Sequence, residues 1–180
     1  MQPKSDLRVR KTKQALVSAM FTLLTRTPFP KITVNDLCAQ ALVSRSAFYA
    51  HFLDKYDLMV YSLNQLREQW FEQARTRSVQ EQLRHILGSI RQDSRMFENL
   101  LLAEYDGELV ALLRKGFLEQ LEQREQGSGL PHPRDISALF YAAGIAGAIM
   151  QWISTGRTYS VADMTACLSA LLPGPDAEQA

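Results

Sequence analysis

Apolar residues recur every three or four positions along almost the whole of this 180-residue chain, and no stretch alternates with the two-residue period of a half-buried strand. That pattern predicts an all-α protein. Thr12, Ala15, Leu16, Ala19, Met20 and Leu23 share one face of a first helix, from about Arg8 to Leu24. T-P-F-P-K then ends it, because proline cannot continue a helix. Val34, Leu37, Cys38 and Ala41 repeat the spacing on a short second helix. Phe48 and Phe52, four apart, give a buried side to a third, capped by Ser44 and ending near Phe52. A longer helix from Lys55 to about Arg77 spans roughly 34 Å at ~1.5 Å per residue. Three more are predicted over about 79–91, 94–104 and 107–125. G-S-G-L-P-H-P at 127–133 is the clearest loop in the chain. Helices at Arg134–Thr155 and Val161–Leu172 follow, and a tail at 173–180 with two prolines is expected to fray.

Polar residues mark how the short helices begin. Thr33 stands at an N-cap position, and Asp36 three residues on can return a hydrogen bond, a variant of the capping box. Leu42-Val43 carries the turn to Ser44, and Asp54 with Asp57 repeats the capping device ahead of Lys55. In front of Phe48 and Phe52, on the opposite side of the third helix, lie Ser46 and Ala50, flanked by Arg45, Ala47, Tyr49 and His51. A short helix with aromatic anchors behind and small, polar or basic side chains in front suits a major groove, as the second helix of a helix-turn-helix. Arg45, in its first turn, is the side chain there that can pair bidentately with guanine O6 and N7. Ser46 adds one hydrogen bond, while Ala47 and Ala50 offer methyl contacts to thymine.

Ile32-Thr33-Val34, Leu37, Ala41, Val43-Ser44, Phe48-Tyr49, His51-Phe52, Lys55 and Leu58 together resemble the DNA-binding domain of the TetR family of bacterial one-component regulators. The F-Y-x-H-F-x-x-K run at its distance after I-T-V is the specific part of that match. The resemblance implies a DNA-binding head at about 8–54, a linking helix at 55–77 and a regulatory and dimerisation domain at 78–172. It implies DNA contacts at Thr33, Ser44, Arg45, Ser46, Ala47, Tyr49, His51 and Lys55. Of these, Thr33, Tyr49, His51 and Lys55 fall where the family touches phosphate, contacts that position the head without reading sequence. It further implies a homodimeric repressor on a near-palindromic, double-stranded operator. The family usually has Gly where this chain has Leu42. A left-handed backbone there costs a leucine on the order of 1 kcal/mol, unless the turn is remodelled.

Charge distribution points the same way. Residues 1–56 hold nine Lys or Arg against three Asp, a balance of +6; the remaining 124 hold eleven basic and sixteen acidic residues, −5, within a total of +1. A basic head on an acidic body is the electrostatic pattern of a DNA-binding module carried by a non-binding one. No apolar run reaches the length of a membrane span, and M-Q-P-K-S-D-L-R-V-R lacks the apolar core of a signal peptide. Cys38 and Cys167, far apart in the chain, are expected as buried thiols in a reducing cytoplasm.

The helix at Arg134–Thr155 is apolar around most of its circumference, so it must be covered on two sides. Ile136, Leu139, Phe140, Ala143, Gly144 and Gly147 form one side; Tyr141, Ile145, Ala148, Ile149 and Trp152 form another. It is either the centre of a single-subunit bundle or a helix with one side against a second copy. In the second case Ala143, Gly144, Gly147, Ala148 and Trp152 are the expected interface. A-G-I-A-G-A-I-M-Q-W-I-S-T-G followed by an amphipathic last helix resembles a TetR subgroup that includes dihydroxyacetone-kinase regulators, which favours dimerisation. In the family the body often encloses a small-molecule effector; Phe97, Tyr105, Phe117 and Tyr141 are candidates to line such a pocket. His51, His85 and His132 share no metal-ligand spacing, and no P-loop, nucleophile elbow or dinucleotide fingerprint occurs, so neither an enzyme, a metal nor a cofactor is expected. The acidic cluster Glu104, Asp106 and Glu108 around Gly107 reads as a helix end and its cap, with a cationic effector site as the lesser alternative. The alternative function is a helical ligand-binding or adaptor protein with a degenerate DNA-binding head.

Overall fold

A computed structural model describes residues 4–72, 78–101 and 134–172. Every element among them is helical, in accord with the all-α expectation: α1 (Lys4–Leu24), a 3-10 turn (Phe29–Lys31), α2 (Val34–Ala41), α3 (Arg45–Tyr49), α4 (Lys55–Glu72), α5 (Val79–Gln92), α6 (Ser94–Leu101), α7 (Arg134–Ser154) and α8 (Val161–Leu171). The expected helix at 107–125, the loop at 127–133, the end of the linking helix at 73–77 and the tail at 173–180 lie outside the described residues. The chain divides into two compact units, one of residues 1–66 with 95–103 and one of 67–94 with 104–180.

The first unit is built on α1, which packs against α2. Leu16, Ala19, Met20 and Leu23 are buried as the pattern predicts, and Val17 and Leu24 join them. The 3-10 turn seats Phe29 and Ile32, both 1% exposed, in the same core. Leu37 and Cys38 of α2, Phe48 and Phe52 behind α3, and Leu58, Met59 and Leu63 of α4 complete it. The third helix is shorter than expected. His51 and Phe52 both donate their N–H to the Phe48 carbonyl, which closes the helix beyond Tyr49. Asp54 then accepts from the N–H groups of Tyr56 and Asp57, and the Asp57 carboxylate accepts from Leu53 N–H, so α4 starts at once. Most of α6 belongs to this unit as well, which the expected head at 8–54 omitted. Met96, Phe97 and Leu100 are buried, and the Asn99 side chain donates to the Leu24 carbonyl at the end of α1.

In the second unit α5 packs along α8. Each begins with a complete capping box, Ser78 with Glu81 and Ser160 with Asp163. Leu83, Ile86, Leu87 and Ile90 of α5 are buried, as are Met164, Thr165 and Leu168 of α8. On α7 the buried side is Ala142, Ile145, Ala146, Ile149, Trp152 and Ile153. Two expectations are corrected here. Trp152 is not an interface residue: it is 2% exposed, and its indole N–H donates to the Tyr159 carbonyl, so it fastens the α7–α8 turn from inside. Cys167 is not a buried thiol but an exposed one, whereas Cys38 is buried as expected.

Candidate nucleic-acid interface

The α2–turn–α3 segment is fixed by local hydrogen bonds before any long-range contact. At Thr33 the hydroxyl accepts from Asp36 N–H at 3.2 Å and donates to Asp36 Oδ2 at 2.6 Å, while the Thr33 N–H donates to the same oxygen at 2.9 Å. Hydrogen bonds from the Thr33 hydroxyl and N–H hold the Asp36 carboxyl below the usual carboxylate range. Leu42 takes the left-handed conformation, φ 56 and ψ 40, that the family's usual Gly would accept freely. The turn is therefore kept, not remodelled. Val43 N–H reaches the Cys38 carbonyl at 3.0 Å, and Ser44 Oγ accepts from Ala47 N–H at 3.1 Å to start α3.

This framework turns Phe48 into the core, fully buried and edge-on to Tyr49, and leaves Ser44, Arg45, Ser46, Tyr49 and Ala50 exposed. Ala47 and His51 are partly buried at the flanks. The Arg45 guanidinium stands 5.9 Å from the centre of the Tyr49 ring, and the hydroxyls of Ser44 and Ser46 are 2.9 Å apart. One outward row thus carries a fork of N–H donors, two hydroxyls and a phenol. Those groups match base edges and phosphates. Among the described residues no cluster of His, Cys, Asp and Glu could hold a metal. Burial pushes the Cys38 thiol's pKa up, with the charge of Arg45 pulling the other way.

Two of the phosphate contacts implied by the family resemblance do not fit this geometry. Lys55 turns inward: its Nζ donates to the carbonyls of Phe29, Pro30 and Ile32 at 3.1, 3.0 and 2.8 Å and lies 4.8 Å from the Phe29 ring centre. All three ammonium protons are committed, and burial pushes its pKa down. It is a strut that fastens the start of α4 to the 3-10 turn. Thr33 is exposed, but its hydroxyl proton goes to Asp36, which makes it a cap. Tyr49 is exposed and His51 partly buried. Leu42 at 92% and Leu53 at 85% exposure are solvent-facing leucines just before and just after α3, an exposure that the apolar period along the chain does not encode.

Phe97 is buried with the first unit, Tyr141 is partly buried with its ring edge-on to Phe140, and Tyr105 and Phe117 lie outside the described residues. On α7, Ala143 and Gly144 are exposed and Gly147 and Ala148 partly buried.

Residues 77–174 match a family described as the transcriptional regulator C-terminal region, of TetR type. A search of the curated proteins returns no match. Among solved structures, a TetR transcriptional regulator from Streptococcus agalactiae is 25% identical, with a TM-score of 0.68, 94% of this chain and 98% of that chain being covered. The dihydroxyacetone kinase operon activator DhaS is 14% identical with a TM-score of 0.67, over 89% of this chain and 93% of its own. NalD, the secondary repressor of a multidrug efflux pump in Pseudomonas aeruginosa, is 18% identical with a TM-score of 0.54, over 91% and 95%. The helix-turn-helix head, its outward polar row and the matched C-terminal region converge: the chain belongs to the TetR family of transcriptional regulators.

Proposed function

We propose that this DNA-binding regulator is a cytoplasmic homodimeric repressor, seated on a near-palindromic operator and released by a small-molecule effector bound in its body. The observation that carries DNA reading is the outward row Arg45, Ser46 and Tyr49, presented by a helix whose other side is pinned by the fully buried Phe48. Arg45 and Ser46 take base edges, with Ala47 against a thymine methyl; Ser44, Tyr49 and His51 take the backbone.

Dimerisation is supported by α7. Ile136, Leu139 and Phe140 are exposed and continue along the helix into Ala143 and Gly144. A Cβ added at Gly144 or Gly147 would meet nothing within 4 Å. The described residues of one subunit therefore give no packing reason for glycines that each cost a helix interior about 1 kcal/mol. A second copy laid along this face would cover the leucine, isoleucine and phenylalanine side chains and use the close approach. No described helix is long and apolar enough to cross a membrane.

A gel shift on the DNA upstream of the protein's own coding region, over a series of salt concentrations, tests the proposal. A discrete complex that outcompetes unrelated DNA and weakens steeply with salt is expected. Equal affinity for any duplex would overturn it.

A further inference from the structure

We propose that Leu42 is a further specificity-determining residue, its isobutyl group resting on a thymine methyl at the edge of the site that α3 reads; this rests on α3 reading operator DNA. Leu42 is one of only two residues other than glycine with a positive φ among those described. Its backbone already makes the turn, with Leu42 N–H on the Ala39 carbonyl and Val43 N–H on that of Cys38. Glycine would make the same bonds without the steric conflict between Cβ and carbonyl that leucine brings. The side chain does not recover that loss inside the fold, because it is 92% exposed. A strained residue whose side chain packs against nothing gains only when something outside the subunit covers it.

Position identifies the cover. Leu42 lies three residues before Arg45 and two before the Ser44 cap, so it borders the outward row at its N-terminal end. Every base pair with thymine presents a methyl in the major groove, and that methyl is the apolar feature a side chain can recognise there. A leucine beside Arg45 would therefore favour A·T at one step while Arg45 favours guanine at its neighbour.

The test begins by selecting the preferred duplex of the wild-type protein from a random pool. Wild type, L42G and L42N are then compared on that duplex, on an unrelated duplex and on duplexes with single thymines replaced by deoxyuridine, which lacks the methyl. Glycine and asparagine both accept the left-handed turn, so neither variant is expected to unfold, and thermal melting of L42G should rise. Both variants should lose about three- to tenfold affinity for the selected duplex while keeping their affinity for the unrelated one. Deoxyuridine at one position per half-site should weaken wild type by a similar factor and leave L42G unaffected. Unchanged or tighter binding of L42G to the selected duplex overturns the proposal, as does equal sensitivity of wild type and L42G to deoxyuridine at every position. If the wild type selects no duplex at all, DNA reading by α3 itself has failed, an outcome separate from failure at Leu42.

Discussion

Side chains on α3 and at its edges divide into those that face outward and those that hold the head together, and mutation separates the two. Arg45→Ala removes the exposed bidentate donor and leaves the buried Phe48 anchor in place. Its melting temperature should not change, while specific binding falls by roughly 1–3 kcal/mol and preference relaxes at one base pair per half-site. Unaltered selectivity in a competition assay would remove Arg45 from the reading role. Lys55→Ala should behave in the opposite way. It strips three charge-assisted hydrogen bonds from the carbonyls of Phe29, Pro30 and Ile32, and should cost about 2 kcal/mol of stability in thermal melting. Its slope of log affinity against log salt should match wild type, whereas loss of a true phosphate contact would flatten that slope by about one unit. The sequence pattern could not distinguish these two basic residues. Which way a lysine turns depends on the carbonyls that a distant 3-10 turn brings to it. Trp152 was misplaced for the same reason: its side of α7 follows from the period, but its partner, the Tyr159 carbonyl, is supplied by a turn.

Helices were the most legible level, because their start signals are local. Thr33, Ser44 and Asp54 each cap as their spacing indicates, and the predicted C-terminal ends of α1, α7 and α8 fall within a residue of those observed, although α1 starts four residues before the expected Arg8. The placement of α6 was not legible, since the bond from Asn99 to Leu24 joins positions 75 apart in sequence. The α2 cap also makes a pH prediction. Hydrogen bonds from Thr33 lower the Asp36 pKa in the folded state, so the ionised carboxylate favours folding. That contribution is fully present above the unfolded-state value of about 4 and is lost as the pH falls through the lower, folded-state value. The difference in melting temperature between wild type and Asp36→Asn should therefore be constant from neutral pH down to about 5 and shrink at more acid pH. Asp163, held low by Ser160 in the same way, should give α8 the same profile in Asp163→Asn. A difference that persists unchanged in acid would mean that the carboxylate charge contributes nothing to the caps.

For the whole molecule, the asymmetry of a basic first third and an acidic remainder was readable from composition, and the proposal of a second copy starts from a helix with too much apolar surface. The structure accounts for one side of α7, with Ala142, Ile145, Ala146 and Ile149 buried, and leaves Ile136, Leu139 and Phe140 exposed on the other. Gly147→Leu tests what covers that second side. Among the described residues nothing lies within 4 Å of an added Cβ at Gly147, and leucine is a better helix former than glycine by about 1 kcal/mol. The subunit should therefore fold at least as stably as wild type, with unchanged helical circular dichroism. Against a close-packed second copy the same side chain overfills the seam, at a typical cost of about 1–3 kcal/mol. Sedimentation should then shift toward monomer, and operator affinity should fall with it, since each head alone holds only a half-site. The exposed Cys167 thiol on α8 gives a second readout: if the last helix shares the seam, a thiol reagent should label it more slowly in the wild-type dimer than in Gly147→Leu. Were the variant to remain dimeric with full DNA affinity, the seam would lie on another surface. The open glycines of α7 would then have to be explained by something other than a second copy.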